Sequence, residues 1–209
     1  PLIPLYFFRI LYVSSNAFLE CTSLTSTISP ESVTSIGEET FTFCKGLTEI
    51  IIQGGVAKIG ERTFSSCKGL NEVVIRDGVK EIGENAFFSC KNLCNVKIMG
   101  AAVVGRDSFA CCNNVQDIYL ADGVEALVSG CFDFIEKTES IFIPSSVKTV
   151  GQISSQNDAS CKAPLFRCAA PSRPEGWYKD WNLAYYDPRF GLGHGHDHYH
   201  PVEWGQERE

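Results

Sequence analysis

One motif returns along most of this chain at a nearly constant interval. A Phe followed three residues later by a Cys first appears at Phe18 and Cys21. The pair returns at steps of 23, 23, 23 and 22 residues, as Phe41/Cys44, Phe64/Cys67, Phe87/Cys90 and Phe109/Cys112. A sixth copy has Phe132, with Ile135 in place of the Cys. A unit this short cannot enclose its own core, so consecutive copies must stack and bury a continuous one.

Each copy also contains strand-like segments. The segment "LTEIII" alternates apolar Leu47, Ile50 and Ile52 with Glu49 and Ile51, which is the period of a β-strand. The segment "VAKIG" predicts a second short strand. Its final Gly returns in four copies and is expected to adopt positive φ in a tight turn: Gly37, Gly60, Gly83 and Gly105.

These patterns predict an α+β repeat solenoid of the leucine-rich repeat type over residues 1–151, with about six repeats and a partial one. We expect one short parallel strand per repeat. The segment "ERTFSSC" is expected to form a helical or 3₁₀ turn that buries Phe64 and Cys67. Residues 152–209 are expected to form a C-terminal cap with a His-rich loop, because an open solenoid end exposes strand edges and core. The cap would use three tryptophans: Trp177, Trp181 and Trp204.

The repeats resemble the BspA-type leucine-rich repeat family. The residues that carry the resemblance are "LTSTISPESVTSIGEETFTFCKGLTEI" and "IFIPSSVKTVG". The family pattern is Leu-x-x-Ile-x-Ile-Pro-x-x-Val-x-x-Ile-Gly-x-x-Ala-Phe-x-x-Cys. The later segments "LFRCAAPSRPEGWYKDWN" and "VEWG" are similar to a terminal segment with a Pro-x-Gly-Trp…Trp…Trp-Gly pattern, at Pro174, Gly176, Trp177, Trp181, Trp204 and Gly205.

This resemblance implies a non-catalytic binding module, located at a cell surface or secreted, that takes part in adhesion or protein interaction. We therefore expect a protein or other macromolecular ligand, no cofactor, and a monomer or weak association. The net charge of −7, without a run of Lys or Arg, argues against nucleic acid as a partner. No apolar segment is long enough to span a membrane as a helix, so we do not expect membrane insertion.

The outward positions of the predicted strands are the candidate binding residues. Stacked repeats would place them on one face as an apolar ridge beside an acidic flank, and such exposed apolar area often marks a partner site. Strand propensity alone also explains β-branched and aromatic residues at these positions. The candidates are Glu49, Ile51, Glu72, Val74, Lys97, Tyr119 and Phe142.

The repeated cysteines are interpreted as core residues. Ile135 occupies the same position in the sixth copy, and a column of metal ligands would not tolerate isoleucine there. Zinc sites also need Cys pairs that converge on one point. Free Cys is a small, commonly buried residue. We expect Cys44 to be buried, free and stacked between Cys21 and Cys67. Outside this column, Cys161 and Cys168 could close a small disulfide loop in an oxidising compartment.

A histidine-rich tail offers a second kind of site. All four histidines alternate in "GLGHGHDHYH", and such tracts can bind zinc, nickel or copper. The candidate ligands are His194, His196, His198 and His200. A structural spacer within a longer surface protein is a further alternative. The motifs of phosphate-binding loops, zinc proteases and serine hydrolases are absent from the sequence, so we do not expect an enzyme.

Overall fold

The computed structural model of the protein describes residues 11–28, 32–100, 103–152, 164–177, 183–185, 198–199 and 202–207. These residues form strands and turns, with neither α-helix nor 3₁₀ helix among them. The described part of the chain accordingly has no helix with the length and apolar character needed to cross a membrane.

Strands of two lengths alternate through the repeats. Strands of three or four residues follow strands of two residues. In chain order the strands are β1 (Tyr12–Val13), β2 (Ser26–Ile28), β3 (Ser35–Ile36), β4 (Glu49–Ile52), β5 (Lys58–Ile59), β6 (Glu72–Ile75), β7 (Glu81–Ile82), β8 (Asn95–Ile98), β9 (Val103–Val104), β10 (Asp117–Leu120), β11 (Ala126–Leu127), β12 (Ser140–Ile143), β13 (Thr149–Val150), β14 (Leu165–Cys168), β15 (Leu183–Tyr185), β16 (His198–Tyr199) and β17 (Val202–Trp204).

Short and long strands form separate parallel sheets. The two-residue strands make a seven-stranded sheet in the order β1-β3-β5-β7-β9-β11-β13, which we call the short-strand sheet. The long-strand sheet has the order β10-β8-β6-β4-β2. A third parallel sheet contains β12, β14 and β17, and β15 pairs with β16 in antiparallel fashion. Each repeat therefore contributes two strands, which corrects the expectation of one and confirms the short strand predicted from "VAKIG".

Burial alternates along the long strands as the sequence predicts. In β4, Ile50 and Ile52 are buried, whereas Glu49 is exposed and Ile51 is half-buried. Strand register then aligns Ile50 with Val73 of the next repeat, so the buried positions form continuous columns. β-Branched residues dominate these columns because they pack well on a pleated, half-buried surface.

The segment that follows each short strand, residues 38–43 and its equivalents, is a non-helical turn that we call the arc. The backbone N–H groups of Glu39, Phe41 and Phe43 donate to carbonyls of the next repeat at 2.8, 2.7 and 2.9 Å. In an α-helix these groups would bond within their own segment. Glu39 and Phe43 also have φ of 52° and 60°, which interrupts a right-handed helix. The predicted helical or 3₁₀ turn, and with it the α+β assignment, is therefore wrong.

A column of glycines lets consecutive repeats approach closely: Gly37, Gly60, Gly83 and Gly105. None of them has positive φ; in the arcs that conformation belongs to residues such as Arg62 and Asn85. A Cβ added at Gly60 would lie 2.6 Å from the carbonyl carbon of Gly37 and 2.7 Å from the nitrogen of Glu38. The expected positive φ is wrong, and glycine is required here because a backbone passes where a side chain would be.

The repeated phenylalanines form a stack through the core. Neighbouring rings from Phe18 to Phe109 are nearly parallel, with centroids 4.9–5.1 Å apart. This distance is close to the spacing of paired strands, so it reports the rise from one repeat to the next. The last step, to Phe132, is wider at 5.9 Å, and its ring planes differ by 23°. The stack therefore loosens between the repeats of Phe109 and Phe132.

Two C-terminal strands continue the array. β14 pairs with β12, and β17 pairs with β14. Trp177 is buried, its indole N–H donates to the carbonyl of Val147 at 3.3 Å, and its ring centroid lies 5.7 Å from that of Trp204. The remaining tryptophan, Trp181, lies outside the described residues. The Trp-rich cap is not confirmed by this arrangement and stays a prediction.

Shortening one ring of the phenylalanine stack should destabilise the protein strongly. Phe64 is fully buried between two other rings, so Phe64→Ala should lower the free energy of unfolding by about 3–5 kcal/mol. The matched control is Phe43→Ala in the preceding arc, where the side chain is 41% exposed and the loss should stay below about 1 kcal/mol. Chemical denaturation measures both. Equal losses of unfolding free energy in the two variants would contradict a core that depends on the phenylalanine stack.

Substitution should destabilise the protein at the glycine column and change its stability little at a positive-φ position. Gly60→Ala forces a methyl group against the preceding backbone and should cost about 1–3 kcal/mol. Asn85→Gly places glycine where φ is 54°, which relieves backbone strain in the folded state but gives the unfolded chain more freedom. These two effects oppose each other, so the free energy of unfolding should change by less than about 1 kcal/mol. The measurement is the free energy of unfolding. A tolerated Gly60→Ala would show that the repeats are not held as closely as described.

Candidate functional site

The long-strand sheet places six of the seven predicted binding residues in two columns on its outward face. Strand register aligns one column whose members are half-buried or exposed: Ile51, Val74, Lys97 and Tyr119. It aligns a neighbouring, largely acidic column: Glu49, Glu72, Asn95 and Asp117. The predicted face is thus assembled over four consecutive repeats.

One ion pair crosses this face. The ammonium nitrogen Nζ of Lys97 lies 2.7 Å from Oε1 of Glu72 on the neighbouring strand. Both side chains are substantially exposed, so the pair adds at most about 1 kcal/mol to stability. Its main effect is to hold the Lys97 stem over the sheet beside Tyr119, where it contributes to the shape and polarity of the face.

The seventh residue, Phe142, does not continue the column of Tyr119. It lies on β12, which pairs with β14, whereas the long-strand sheet ends at β10. On the other two sides the repeats stay joined: β11 pairs with β9, and the Phe109 N–H donates to the Cys131 carbonyl at 3.0 Å. The strand ladder is therefore interrupted on this side between β10 and β12, at a step that we call the opening, although the two strands still lie next to each other. The expected unbroken ridge is corrected to two parts that belong to different sheets.

A proline contributes to this opening. At the ends of β6, β8 and β10, a backbone N–H donates to the preceding repeat over 2.8–3.0 Å, from Arg76, Met99 and Ala121. The equivalent residue after β12 is Pro144, which has no N–H to donate. The step that lacks this hydrogen bond is also the step at which the phenylalanine stack widens.

A groove with a volume of about 840 Å³ lies at the opening, lined by residues of β8 and β10 on one side and by the start of β12 with its preceding turn on the other. Tyr119, 40% exposed, lies at the groove with Lys97 and Asp117, and the turn before β12 supplies charged residues from the other side. Those residues are Glu136, Lys137 and Glu139. A second hollow of about 470 Å³ lies near the C-terminal ends of β10, β12, β14 and β17 and is lined in part by Phe142 and Asp122. The two predicted aromatic anchors thus line adjacent hollows.

Sequence reasoning found the aromatic residues but missed the groove. Two departures from the repeat pattern mark its position. Thr138 stands where earlier repeats have Leu or Val, and its buried hydroxyl donates to the Val115 carbonyl at 2.9 Å. Ile135 replaces the Cys of the column in the same repeat. Together with Pro144, these departures identify the repeat that separates from its neighbour.

The cysteine column is a packing feature, as predicted. Each thiol donates to the carbonyl of the Phe in the preceding repeat at 3.0–3.2 Å, from Cys44, Cys67, Cys90 and Cys112. Cys44 is buried and free, as expected. Cys21 is exposed, which corrects its predicted burial, because it belongs to the first repeat that the structure describes and no described repeat covers it.

Burial also suppresses the reactivity of these thiols. Desolvation raises the pKa of Cys67 to about 12, and it raises the pKa of Cys44 and of Cys90 as well. The thiolate is the reactive form of cysteine, so burial and a raised pKa both lower the reactivity of these thiols toward nucleophilic chemistry. The column therefore contributes to the core and not to chemistry.

The remaining predicted sites receive no support. Cys168 is a buried free thiol, so it is not part of the disulfide considered with Cys161, which lies outside the described residues. His194, His196 and His200 also lie outside them, and His198 is described only as part of β16. Within the described ranges there is no group of three or more His, Cys, Asp or Glu side chains that could hold a metal ion.

A family model described as a BspA-type leucine-rich repeat region matches residues 11–104 and 100–162, in six copies. The matched residues cover most of the chain and end before the Trp-rich segment. No curated protein matches the sequence.

Several solved structures are similar. The Treponema pallidum leucine-rich repeat protein is 26% identical with a TM-score of 0.55, over 60% of this chain and 62% of that one. A leucine-rich repeat protein from Eubacterium ventriosum is 21% identical with a TM-score of 0.61, over 84% and 48%. A leucine-rich cell surface protein from Faecalibacterium prausnitzii is 26% identical with a TM-score of 0.49, over 68% and 47%. The matches span 47% to 62% of the length of these proteins.

The buried column predicts a clear difference between cysteines in alkylation. Native protein treated with iodoacetamide at pH 8 should be modified at the exposed Cys21, while Cys67 stays unmodified because it is buried and protonated. Peptide mass spectrometry locates the label. Protein unfolded in urea is the control, in which all ten cysteines should react. Rapid labelling of Cys67 in the native protein would contradict its place in the core.

Proposed function

Because the chain belongs to the BspA-type leucine-rich repeat family, we propose that it is a non-catalytic interaction module that binds a protein partner through the outward face of the long-strand sheet. The observation that carries this proposal is the groove of about 840 Å³ beside Tyr119. Repeat solenoids commonly use an extended sheet surface for binding, and a concave site with an aromatic edge is the usual form of a binding pocket.

The two columns give the proposed surface distinct regions. Ile51 and Val74 offer an apolar strip over two repeats, and Lys97 and Tyr119 follow it toward the groove. An aromatic ring supplies large contact area with few rotatable bonds, so Tyr119 is the proposed anchor. Phe142 would contact the same partner from the far side of the opening, where it lines the second hollow.

Charge favours a partner with basic groups opposite the groove. Within the described residues, Glu49 and Asp117 of the acidic column form no ion pair, while Glu72 is paired with Lys97. The charged residues around the groove are three carboxylates, Asp117, Glu136 and Glu139, and two lysines, Lys97 and Lys137. An excess of carboxylates at the rim would steer a partner that carries Lys or Arg at its edge.

Several further features complete the proposal. Leucine-rich repeat families and folds are typically non-enzymatic, which supports a binding role. A location at the cell surface or outside the cell follows the family resemblance. Residues 152–209 would close the end of the solenoid over residues 1–151, supported by the buried Trp177 and its contact with Trp204.

Peptides selected from a displayed random library on the wild-type protein provide a test that needs no known partner. They should bind the double variant Tyr119→Ser with Phe142→Ser at least about thirtyfold more weakly, because the loss of a single aromatic anchor already costs about 2 kcal/mol. Hydrogen exchange should show protection of amides in β10 and β12 when a selected peptide is bound.

The matched control changes two exposed residues of the short-strand sheet, Lys58→Ala with Thr149→Ala, and should leave peptide affinity unchanged. Circular dichroism checks that both variants stay folded. Peptides that bind the aromatic double variant as tightly as wild type, or that protect the short-strand sheet, would refute the proposed site.

A further inference from the structure

Three lysines form a straight row at the border between the arcs and the long strands. Lys45, Lys68 and Lys91 occupy the same position in consecutive repeats, each directly after a buried cysteine of the column, and all three are exposed. The repeats that carry them are stacked at 5.1 Å, measured between the rings of Phe41, Phe64 and Phe87. We call these three residues the lysine row.

The lysine row has no carboxylate partner. No carboxylate of the described residues lies within 4.0 Å of its ammonium groups, whereas three other lysines each have one. Those pairs are Lys58–Glu81 at 2.9 Å, Lys97–Glu72 at 2.7 Å and Lys148–Glu125 at 3.2 Å. Three positive charges on consecutive repeats repel one another weakly in water, and no ion pair with a described carboxylate offsets that repulsion.

Two glycines beside the row leave no side chain next to the first two lysines. Gly46 and Gly69 follow the first two lysines, and a Cβ on either would lie 2.3 Å from a carbonyl oxygen of the preceding repeat. No side chain can therefore be added at these positions to screen the ammonium groups.

The row has defined ends. Toward the N-terminus the column continues with Thr22, and toward the C-terminus with Asn113 and Glu136. The Asn113 amide donates to Oε1 of Glu136 at 2.6 Å, so the column becomes neutral and then negative. The positive segment is thus limited to three consecutive repeats in a chain whose net charge is −7.

We propose that the lysine row binds a linear anionic polysaccharide, sulfated or carboxylated, that lies along the solenoid axis. Such a polymer repeats its charges at regular intervals, and a 1→4-linked hexose is about as long as one repeat of this solenoid. Lysine suits this ligand because its ammonium group is a point charge on a flexible stem that needs no planar, bidentate partner.

An acidic protein segment matches the row less well. In an extended peptide, side chains on one face recur about every 6.8 Å, so carboxylates would fall out of step with lysines spaced by one repeat. Nucleic acid is disfavoured because its tight binding uses many phosphate contacts, about 6–10 in typical cases, and the net charge opposes it. The inference concerns a different surface from the groove and does not depend on the proposed function.

The test measures binding of dextran sulfate to the full chain by isothermal titration at physiological salt, with uncharged dextran of equal length as the blank. The row variant Lys45→Gln, Lys68→Gln, Lys91→Gln should bind about tenfold more weakly or worse, and wild-type affinity should fall as salt is raised. Carboxymethyl dextran distinguishes carboxylate from sulfate as the preferred group.

The matched control, Lys58→Gln, Lys80→Gln, Lys148→Gln, makes the same change in net charge elsewhere and should keep its affinity within about threefold of wild type. The aromatic double variant should also retain dextran sulfate binding, which separates this result from that for the groove. Equal losses in the row and control variants would overturn the proposal. So would absence of wild-type binding, or displacement of dextran sulfate by polyglutamate at equal charge concentration.

Discussion

Backbone hydrogen bonds between consecutive repeats determine the geometry of this molecule. The short strands, the arcs and the long strands each bond to the next repeat, so a rise of about 5 Å applies around the whole turn. At that spacing each position must tolerate a copy of itself directly above and below. Phenylalanine meets this condition by stacking, cysteine by donating to the carbonyl beneath it, and glycine by leaving room for a backbone.

Much of the fold could be predicted because the repeat identifies the columns. Agreement between copies at Phe64, Cys67 and Ile50 was enough to predict the core, and alternation along "LTEIII" was enough to predict which side faces out. The arc could not be predicted in the same way. Its positive φ values fall in one column, in which Asn85 and Asp107 carry a signal of that conformation but Glu39 and Arg62 do not, and the glycines of the repeat pattern have another role.

The candidate site shows the opposite limit. Comparison of the repeats identifies the core positions that they share, but it hides the single repeat whose sequence differs. Pro144 matches the family pattern, yet it removes a hydrogen bond that the three preceding repeats make. Lys97 and Tyr119 likewise replace the apolar residues of their column. In an array of near-identical repeats, the residues that depart from the pattern give the surface its distinct chemical groups. Only the strand register shows which of these residues lie side by side.

The opening between β10 and β12 has a mechanical consequence. The stack up to Phe109 is joined by hydrogen bonds on three sides, while the next step lacks the strand pairing of one side. At this step the hydrogen bonds between repeats come from the short strands and the arcs, so a load along the axis is carried on two sides where the preceding described steps carry it on three.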